Sequence, residues 1–301
     1  MTAAARGPGA FATLANWQIF TVCVLVWSTT WYAITLQLRH ATPEAGVALR
    51  FALAGAAVLA WCAWRGVSLR FPWRVHARLA AQGVFMYSLS YLGYYHAEQY
   101  IASGLVAVVS SASPLLNALG AHWLWRAPLG VRFVTGALLA MSGVALIFLP
   151  ELQHATQGAA TLRGVGITLL GLALSVSGNL LATRNARESL PLWPSMGFGM
   201  LWGSACSFAV LLLTGQTLHW PQDPQWWGSL LYLALAGSVL TFAGYLTLLQ
   251  RIGPGRASTI GVMTPVLALC VSVAFEGYRP GLAALAGAAL AVAGNFWMLR
   301  R

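Results

Sequence analysis

The order of glycine and proline residues in the first half of the chain occurs again in the second half. A shift of 151 positions places Pro43 on Pro194 and Gly46 on Gly197 without a gap. The further coinciding positions are Gly93-Tyr94 with Gly244-Tyr245, Gln99 with Gln250, Ile101 with Ile252, Gly104 with Gly255, Pro114 with Pro265, Gly130 with Gly281, Gly136 with Gly287 and Gly143 with Gly294. Because glycine and proline bend helices, allow close packing and mark turns, the match predicts two copies of one architecture.

Each copy contains five apolar spans, and the composition places them in a membrane. The chain is 58% hydrophobic and only 8% charged, whereas a soluble domain has about 25% charged residues. The predicted spans are 16–38, 43–64, 78–98, 100–123, 129–149, 162–183, 192–214, 226–249, 254–276 and 280–299. We therefore expect an all-α integral membrane fold of ten transmembrane helices, with repeats at residues 1–155 and 156–301. An odd number of spans per copy inverts the second copy, as in many secondary transporters, which bind substrate between the halves.

The basic residues predict the orientation in the membrane. All 17 are arginines, and Arg50 lies within a span. With a cytoplasmic N-terminus, only Arg39, Arg163 and Arg279 lie in outer loops, which leaves 13 on the inner side. This excess predicts that both termini are cytoplasmic. Spread over short inner loops, the charge indicates contact with anionic lipid and argues against nucleic-acid binding. The first apolar run is too long for a signal peptide and is expected to be retained.

The sequence does not contain the residue patterns typical of disulfides, metal sites or ATP binding. Each of the four cysteines falls in a different span, which favours packing roles over a disulfide or a metal site. No Walker A sequence is present, and no Asp or Glu lies at the middle of a span. We therefore expect no cofactor and no direct use of ATP. Without a carboxylate at mid-membrane, the hypothesis is facilitated export of the substrate down its own gradient.

Short motifs within the spans resemble those of a known protein family. They are Val26-Trp27-Ser28-Thr29-Thr30-Trp31, Pro43-Glu44, Leu49-Arg50-Phe51, Ser103-Gly104-Leu105-Val106-Ala107 and Ser113-Pro114, then Gly178-Asn179, Ala257-Ser258 and Thr264-Pro265 in the second copy. Their order resembles the EamA family of the drug/metabolite transporter superfamily. The resemblance implies ten helices with cytoplasmic termini, alternating access to a central cavity, and export or exchange of small metabolites.

Aromatic and polar residues on the third span are the first candidates to line such a cavity. Tyr87, Tyr91, Tyr94 and Tyr95 stand at i, i+4, i+7 and i+8, so they share one helix face. Tyr87 and Tyr91 lie too deep for an interface belt, whereas Tyr94 and Tyr95 also fit one. Packing against a neighbouring helix is the alternative for all four.

Other spans offer matching candidates. They are Trp27, Ser28, Thr30 and Trp31 on the first span, Ser175 and Asn179 on the sixth, and Thr241 and Tyr245 on the eighth. A buried Trp or Asn needs a hydrogen-bond partner, which either a cavity or a neighbouring helix could supply.

Two prolines at matched positions add polar backbone to the fourth and ninth spans. Ser110, Ser113 and Asn117 surround Pro114, and Thr264 precedes Pro265. Each proline deprives the carbonyl four residues earlier of its helical N–H partner. The prolines are predicted to kink the helices or to act as gate hinges, and the hydroxyl and amide groups to contact substrate. The alternative is that these side chains bond only to their own helix.

Arg50 is the one charge clearly within a span, and its repeat position is Leu201. A charge inside the membrane is by default a functional hypothesis: the guanidinium could hold a substrate carboxylate or line the outer exit. The alternative is structural, with Arg50 extended towards the outer surface or paired with Glu44 or Glu98.

Together these observations favour an inner-membrane exporter of small neutral or zwitterionic metabolites, such as amino acids. Its expected partners are a small-molecule substrate and the lipid bilayer, without nucleic acid, and a monomer is favoured because the two copies already pair. The alternatives are an exporter of lipophilic or cationic drugs, which an aromatic cavity would suit, and an intramembrane enzyme. The six histidines are scattered, which argues against the enzyme.

Overall fold

The computed structural model describes residues 11, 13–101, 106, 109–147, 158–218, 220–275 and 281–300. The side chains of Trp31 and of residues 268–275 lie outside this description. Over the described ranges the chain forms helices joined by turns and contains no strand, as the all-α prediction requires.

The helices of the first half are α1 (Asn16–Leu38), α2 (Pro43–Trp64), α3, α4 (Ser113–Trp125) and α5 (Val131–Ile147). Helix α3 comprises Trp73–Gly83, a π-helical turn at Val84–Leu89, and Ser90–Ala97. The second half contains α6 (Ala159–Arg187), α7 (Leu192–Leu213), α8, a short turn of helix at Pro254–Ala257, α9 (Ile260–Phe275) and α10 (Leu282–Leu299). Helix α8 comprises Pro224–Ala234, a π-helical turn at Leu235–Leu240, and Thr241–Ile252.

Six of these helices are long and apolar enough to cross a membrane. They are Asn16–Leu38, Pro43–Trp64, Ala159–Arg187, Leu192–Leu213, Pro224–Ile252 and Leu282–Leu299. Val131–Ile147 is also apolar but shorter. The first two predicted spans coincide with α1 and α2. The full count of ten membrane crossings and the inversion of the second half remain predictions.

Local sequence explains where helices begin. The Thr42 side chain accepts a hydrogen bond from the Ala45 amide at 3.3 Å, and Pro43 fills the first turn of α2. Within the predicted fourth span, 100–123, residues 106, 109 and 110 are also helical, a turn follows at 111–112, and α4 begins at Ser113. Pro114 lies in the first turn of α4, where no helical N–H is needed, so the helical backbone is interrupted just before the proline. Pro265, in contrast, lies inside α9.

The two π-helical turns occupy the same position in each half. Val84–Leu89 and Leu235–Leu240 are separated by the 151 positions of the sequence repeat. A π-helical turn is rare and is found mostly at functional sites. The region where α3 and α8 approach one another is therefore a candidate functional site.

Glycines set the close approach of the helices. The backbone of Gly83 on α3 lies directly against Gly199 and Gly203 on α7, and that of Gly143 on α5 lies against Gly287 on α10. Such contacts replace the hydrophobic effect as the basis of helix packing in lipid. The small-residue rows of the fifth and tenth spans thus face one another within the chain. The main hydrophobic core forms where α1, α2, α3, α7 and α8 meet, so it joins both halves.

A buried amide pair links α3 to α6. The Asn185 Nδ2 group donates to Gln82 Oε1 at 2.8 Å, and both side chains are buried. A double-mutant cycle with Gln82→Ala and Asn185→Ala should give a coupling of about 0.6 kcal/mol, and at most about 1.7 kcal/mol. Unfolding in mixed micelles measures it. A parallel cycle with Ser177→Ala, whose hydroxyl bonds to its own helix at Ala173, should show no coupling with Gln82→Ala. Equal coupling in both cycles would contradict a direct hydrogen bond between Gln82 and Asn185.

Candidate functional site

A cavity of about 180 Å³ lies among helices of both halves. It is lined by Trp27, Thr30, Ile34, Arg50, Met86, Tyr91, Tyr94, Tyr95, Ser110, Ser113, Ser175, Asn179, Phe242, Tyr245, Ser258, Gly261, Thr264 and Pro265. Many of these side chains are aromatic, and most of the others carry a hydroxyl, an amide or a guanidinium. The walls can therefore contact a small organic molecule through rings and hydrogen bonds alike.

The repeat relates several residues of the cavity wall to one another. Pairs separated by 151 positions both border it, namely Tyr91 with Phe242, Tyr94 with Tyr245, Ser110 with Gly261, and Ser113 with Thr264. Equivalent positions of the two halves thus converge on one space.

An aromatic cluster centred on Phe242 forms one side of the cavity. The Phe242 ring meets Tyr87 edge-on at a centroid distance of 4.9 Å and Trp27 at 5.4 Å. Phe51 contacts Tyr91 edge-on at 5.0 Å and so extends the cluster to α2. Edge-to-face pairs of this kind are directional, so the cluster holds the rings bordering the cavity in fixed orientations.

The π-helical turn of α8 anchors Arg50. The Arg50 Nε group donates to Ser238 Oγ at 2.8 Å, and Nη2 donates to the Gly237 carbonyl at 3.1 Å. That carbonyl also accepts from Trp27 Nε1 at 3.1 Å and from Thr241 Oγ1 at 2.8 Å. One backbone oxygen thus connects α1, α2 and α8 beside the cavity.

Arg50 is a buried charge without a carboxylate partner in the described part of the chain. It is 1% exposed, and its Nη1 group makes no hydrogen bond there. The guanidinium lies over the Tyr91 ring at 4.9 Å from the centroid. Extension to the outer surface is therefore wrong, and so is a pair with Glu44, which binds His96 Nε2 at 2.7 Å. No ion pair between Arg50 and Glu98 occurs among the described residues either.

Further polar groups beside the cavity lack partners. Tyr245 OH and Ser110 Oγ are buried and make no hydrogen bond within the described residues. Pro265 has no N–H to offer the carbonyl of Gly261 inside α9. The side of the cavity formed by these residues therefore has hydrogen-bonding capacity that the protein itself does not use.

The structure places the predicted site residues in two groups. Those that border the cavity are Trp27, Arg50, Tyr91, Tyr94, Ser110, Ser113, Ser175, Asn179, Tyr245, Thr264 and Pro265. Those that do not are Ser28, Tyr87, Asn117, Thr241 and Pro114. The Trp31 side chain lies outside the described residues. Whether the bordering residues bind a substrate remains a prediction.

Four of the residues behind the wall bond or pack within the protein. Ser28 Oγ donates to the Val24 carbonyl at 2.5 Å, and Asn117 Nδ2 donates to the Ser113 carbonyl at 2.9 Å. Thr241 binds the Gly237 carbonyl, as described above. Tyr87 is fully buried and packs between Phe51 and Phe242. These positions support the wall from the side away from the cavity.

Several residues that border the cavity were not predicted from the sequence, although the repeat and the helical spacing indicate some of them. Phe242 matches Tyr91 through the repeat, and Gly261 matches Ser110. Ile34 follows Trp27 at helical spacing, on the face that also carries the sequence candidate Thr30. Tyr95, for which an interface belt was one prediction, is buried and borders the cavity. Met86 and Ser258 have no comparable signal.

Comparison with known proteins identifies a family of transporters. The model of the EamA-like transporter family matches residues 16–149 and again residues 164–300. An uncharacterized transporter of Archaeoglobus fulgidus is 24% identical over 293 residues, which cover 95% of this chain and 99% of that protein. The uncharacterized inner membrane transporter YedA of Escherichia coli (strain K12) is 23% identical over 255 residues, with 84% of this chain and 80% of that protein covered.

A solved structure supports the same fold. A crystal structure matches with a TM-score of 0.79 over 94% of this chain and 96% of the other, at 23% sequence identity. The family match falls once on each half and takes in the helices that border the cavity. The chain therefore belongs to the EamA-like transporter family, as the motifs in its sequence predicted.

Proposed function

We propose that this protein is an inner-membrane transporter that exports small neutral or zwitterionic metabolites, such as amino acids, by alternating access. The observation that carries the proposal is the cavity that equivalent positions of both halves line. A site shared by two repeats can open to either side of the membrane when the repeats move relative to one another. The arginine distribution supports cytoplasmic termini.

The size and charge of the cavity favour this cargo over the alternative. Its volume of about 180 Å³ is below the range of about 300–1,000 Å³ that is typical of sites for drug-sized ligands. The aromatic rings alone would also suit a lipophilic cation. However, the Arg50 guanidinium borders the same space and has no carboxylate partner in the described structure, so a second positive charge would be repelled.

Counterflow into liposomes tests the proposal. The purified protein is reconstituted and offered labelled neutral amino acids, sugars, nucleosides and lipophilic cations. We expect uptake of one neutral or zwitterionic class, reduced roughly tenfold in Trp27→Ala and Tyr91→Ala, because one lost ring contact costs about 1.4 kcal/mol. Uptake of cations alone would support the drug exporter, and chemically altered cargo would support an enzyme. Absence of uptake for every class would contradict the proposal.

Two matched controls separate cavity effects from general loss of aromatic residues. Trp17 and Tyr32 both lie on α1, and 69% and 59% of their surfaces are exposed. Neither borders the cavity. Trp17→Ala and Tyr32→Ala should therefore retain counterflow, while the cavity variants lose it.

The proposal includes facilitated export, because the sequence places no carboxylate at the middle of a span. A pH gradient imposed across the liposomes should then leave the final distribution of the labelled substrate unchanged. Uphill accumulation driven by the gradient would contradict this part of the proposal and indicate proton coupling.

A further inference from the structure

We propose that Arg50 Nη1 binds a carboxylate of the transported molecule, so that the site selects small carboxylate-bearing zwitterions over analogues in which a carboxamide replaces the carboxylate. The inference rests on the proposed function, because it names the recognition step within the same cavity. Its starting point is the N–H group of a buried cation that borders a cavity and has no partner among the described residues.

Burial makes the free N–H group a strong binding determinant. Arg50 is 1% exposed, and a charged group without its full set of hydrogen bonds is costly inside a protein. A carboxylate supplies both the opposite charge and the missing acceptor, and such charge-assisted bonds are about twice as strong as neutral ones. A neutral ligand at the same place would leave the guanidinium charge uncompensated.

The geometry of Arg50 is fixed before any ligand arrives. Its Nε and Nη2 groups are held by Ser238 and Gly237 of the π-helical turn, and the Tyr91 ring lies against the guanidinium. Nη1 is the nitrogen of Arg50 without any partner among the described residues, so it is the one most available to a ligand. One guanidinium suits a carboxylate, whereas a phosphate is usually held by several cationic or N–H donors.

The second end of the ligand would meet neutral oxygen atoms. Tyr245 OH and Ser110 Oγ border the same cavity without partners, and the Gly261 carbonyl has lost its helical N–H to Pro265. Hydroxyl and carbonyl oxygens accept hydrogen bonds from an ammonium group. A ligand with a carboxylate at Arg50 and an ammonium group near these oxygens would be a zwitterion, the class to which amino acids belong.

Competition between matched compounds tests the proposal. L-alanine, L-leucine and L-phenylalanine are each compared with the corresponding amide, in which an uncharged carboxamide replaces the carboxylate. The readout is the concentration of each compound that halves counterflow of the labelled acid. For the wild type we expect the best acid to compete roughly thirtyfold better than its amide, as the loss of one charge-assisted bond implies.

Variants at position 50 separate recognition from a structural role. In Arg50→Gln the preference for acid over amide should fall to roughly threefold or less, and in Arg50→Lys it should be intermediate, because lysine keeps the charge but not the planar fork. A purely structural role would weaken acid and amide equally and leave their ratio unchanged. Arg39→Gln, at an exposed outer position, is the matched control and should keep the wild-type ratio.

The outcomes distinguish this inference from the proposed function. A wild-type ratio near one, or a high ratio that survives in Arg50→Gln, would overturn the carboxylate assignment. Flux only of solutes without a carboxylate would overturn it too, while leaving the transporter proposal intact. Absence of flux for every solute would instead overturn the proposed function. If Arg50→Gln does not fold, the wild-type ratio and Arg50→Lys decide the question.

Discussion

Gly83→Ala is expected to disrupt the packing of α3 against α7 and to give the largest loss of stability of any single methyl addition considered for this protein. A Cβ atom at position 83 would overlap the carbonyl oxygen of Gly199 and lie 3.0 Å from the Gly203 amide nitrogen. All the nearest atoms belong to backbone, so no side chain can turn away. Overpacking of this kind costs about 1–3 kcal/mol and sometimes more, and we expect the upper end.

Unfolding in mixed micelles, together with gel filtration of the purified variant, measures this effect. Gly228→Ala is the matched control, because Gly228 also lies within a helix but has no atom within 4 Å of the added methyl group. Alanine should stabilise that position by about 1 kcal/mol through its better helix propensity. A Gly83→Ala variant as stable as the wild type would contradict the direct backbone contact between α3 and α7.

Gly261→Leu is expected to abolish transport while leaving the protein folded. Gly261 borders the cavity, and an added Cβ atom there has no neighbour within 4 Å, so the larger side chain would fill the open space. The space is only about 180 Å³, so a bulky apolar group should exclude most ligands. We expect counterflow to fall at least tenfold, equivalent to a loss of about 1.4 kcal/mol or more in binding.

The same substitution at a position away from the cavity provides the comparison. Gly228→Leu places the side chain at an exposed site on α8, and its counterflow should match the wild type. Both variants should unfold at or above the wild-type midpoint, because leucine is a better helix former than glycine. Wild-type flux in a folded Gly261→Leu protein would show that substrate does not pass through this cavity.

The sequence predicted helices and their repetition well because both depend on local residue types. Thr42 and Pro43 mark the start of α2, and the spacing of glycines revealed the two halves. Which helices contact one another was not accessible in the same way. Gly83 meets Gly199 and Gly203, and nothing in the spacing of these residues encodes that pairing.

The site was predicted from side-chain types, and the main error of that prediction concerns a backbone group. One alternative for Arg50 paired it with Glu44 or Glu98, because opposite charges attract. Its real partners include the Gly237 carbonyl, and a backbone acceptor leaves no signature in residue identity. The π-helical turn that presents this carbonyl is likewise not marked by residue type, since the two matched turns differ in sequence. Phe242, by contrast, could have been found from its register with Tyr91.

The matched π-helical turns bear on how the two halves arose. A π-helical turn bonds residue i to i+5, so it accommodates one residue more than an α-helical turn. The turns at Val84–Leu89 and Leu235–Leu240 share only their last residue type, yet they fall at the same repeat position. One insertion in a single-repeat ancestor accounts for both, whereas separate origins require the same event twice. The backbone of the site would then predate gene duplication. The difference between Arg50 and Leu201, its equivalent position in the second half, would have arisen afterwards.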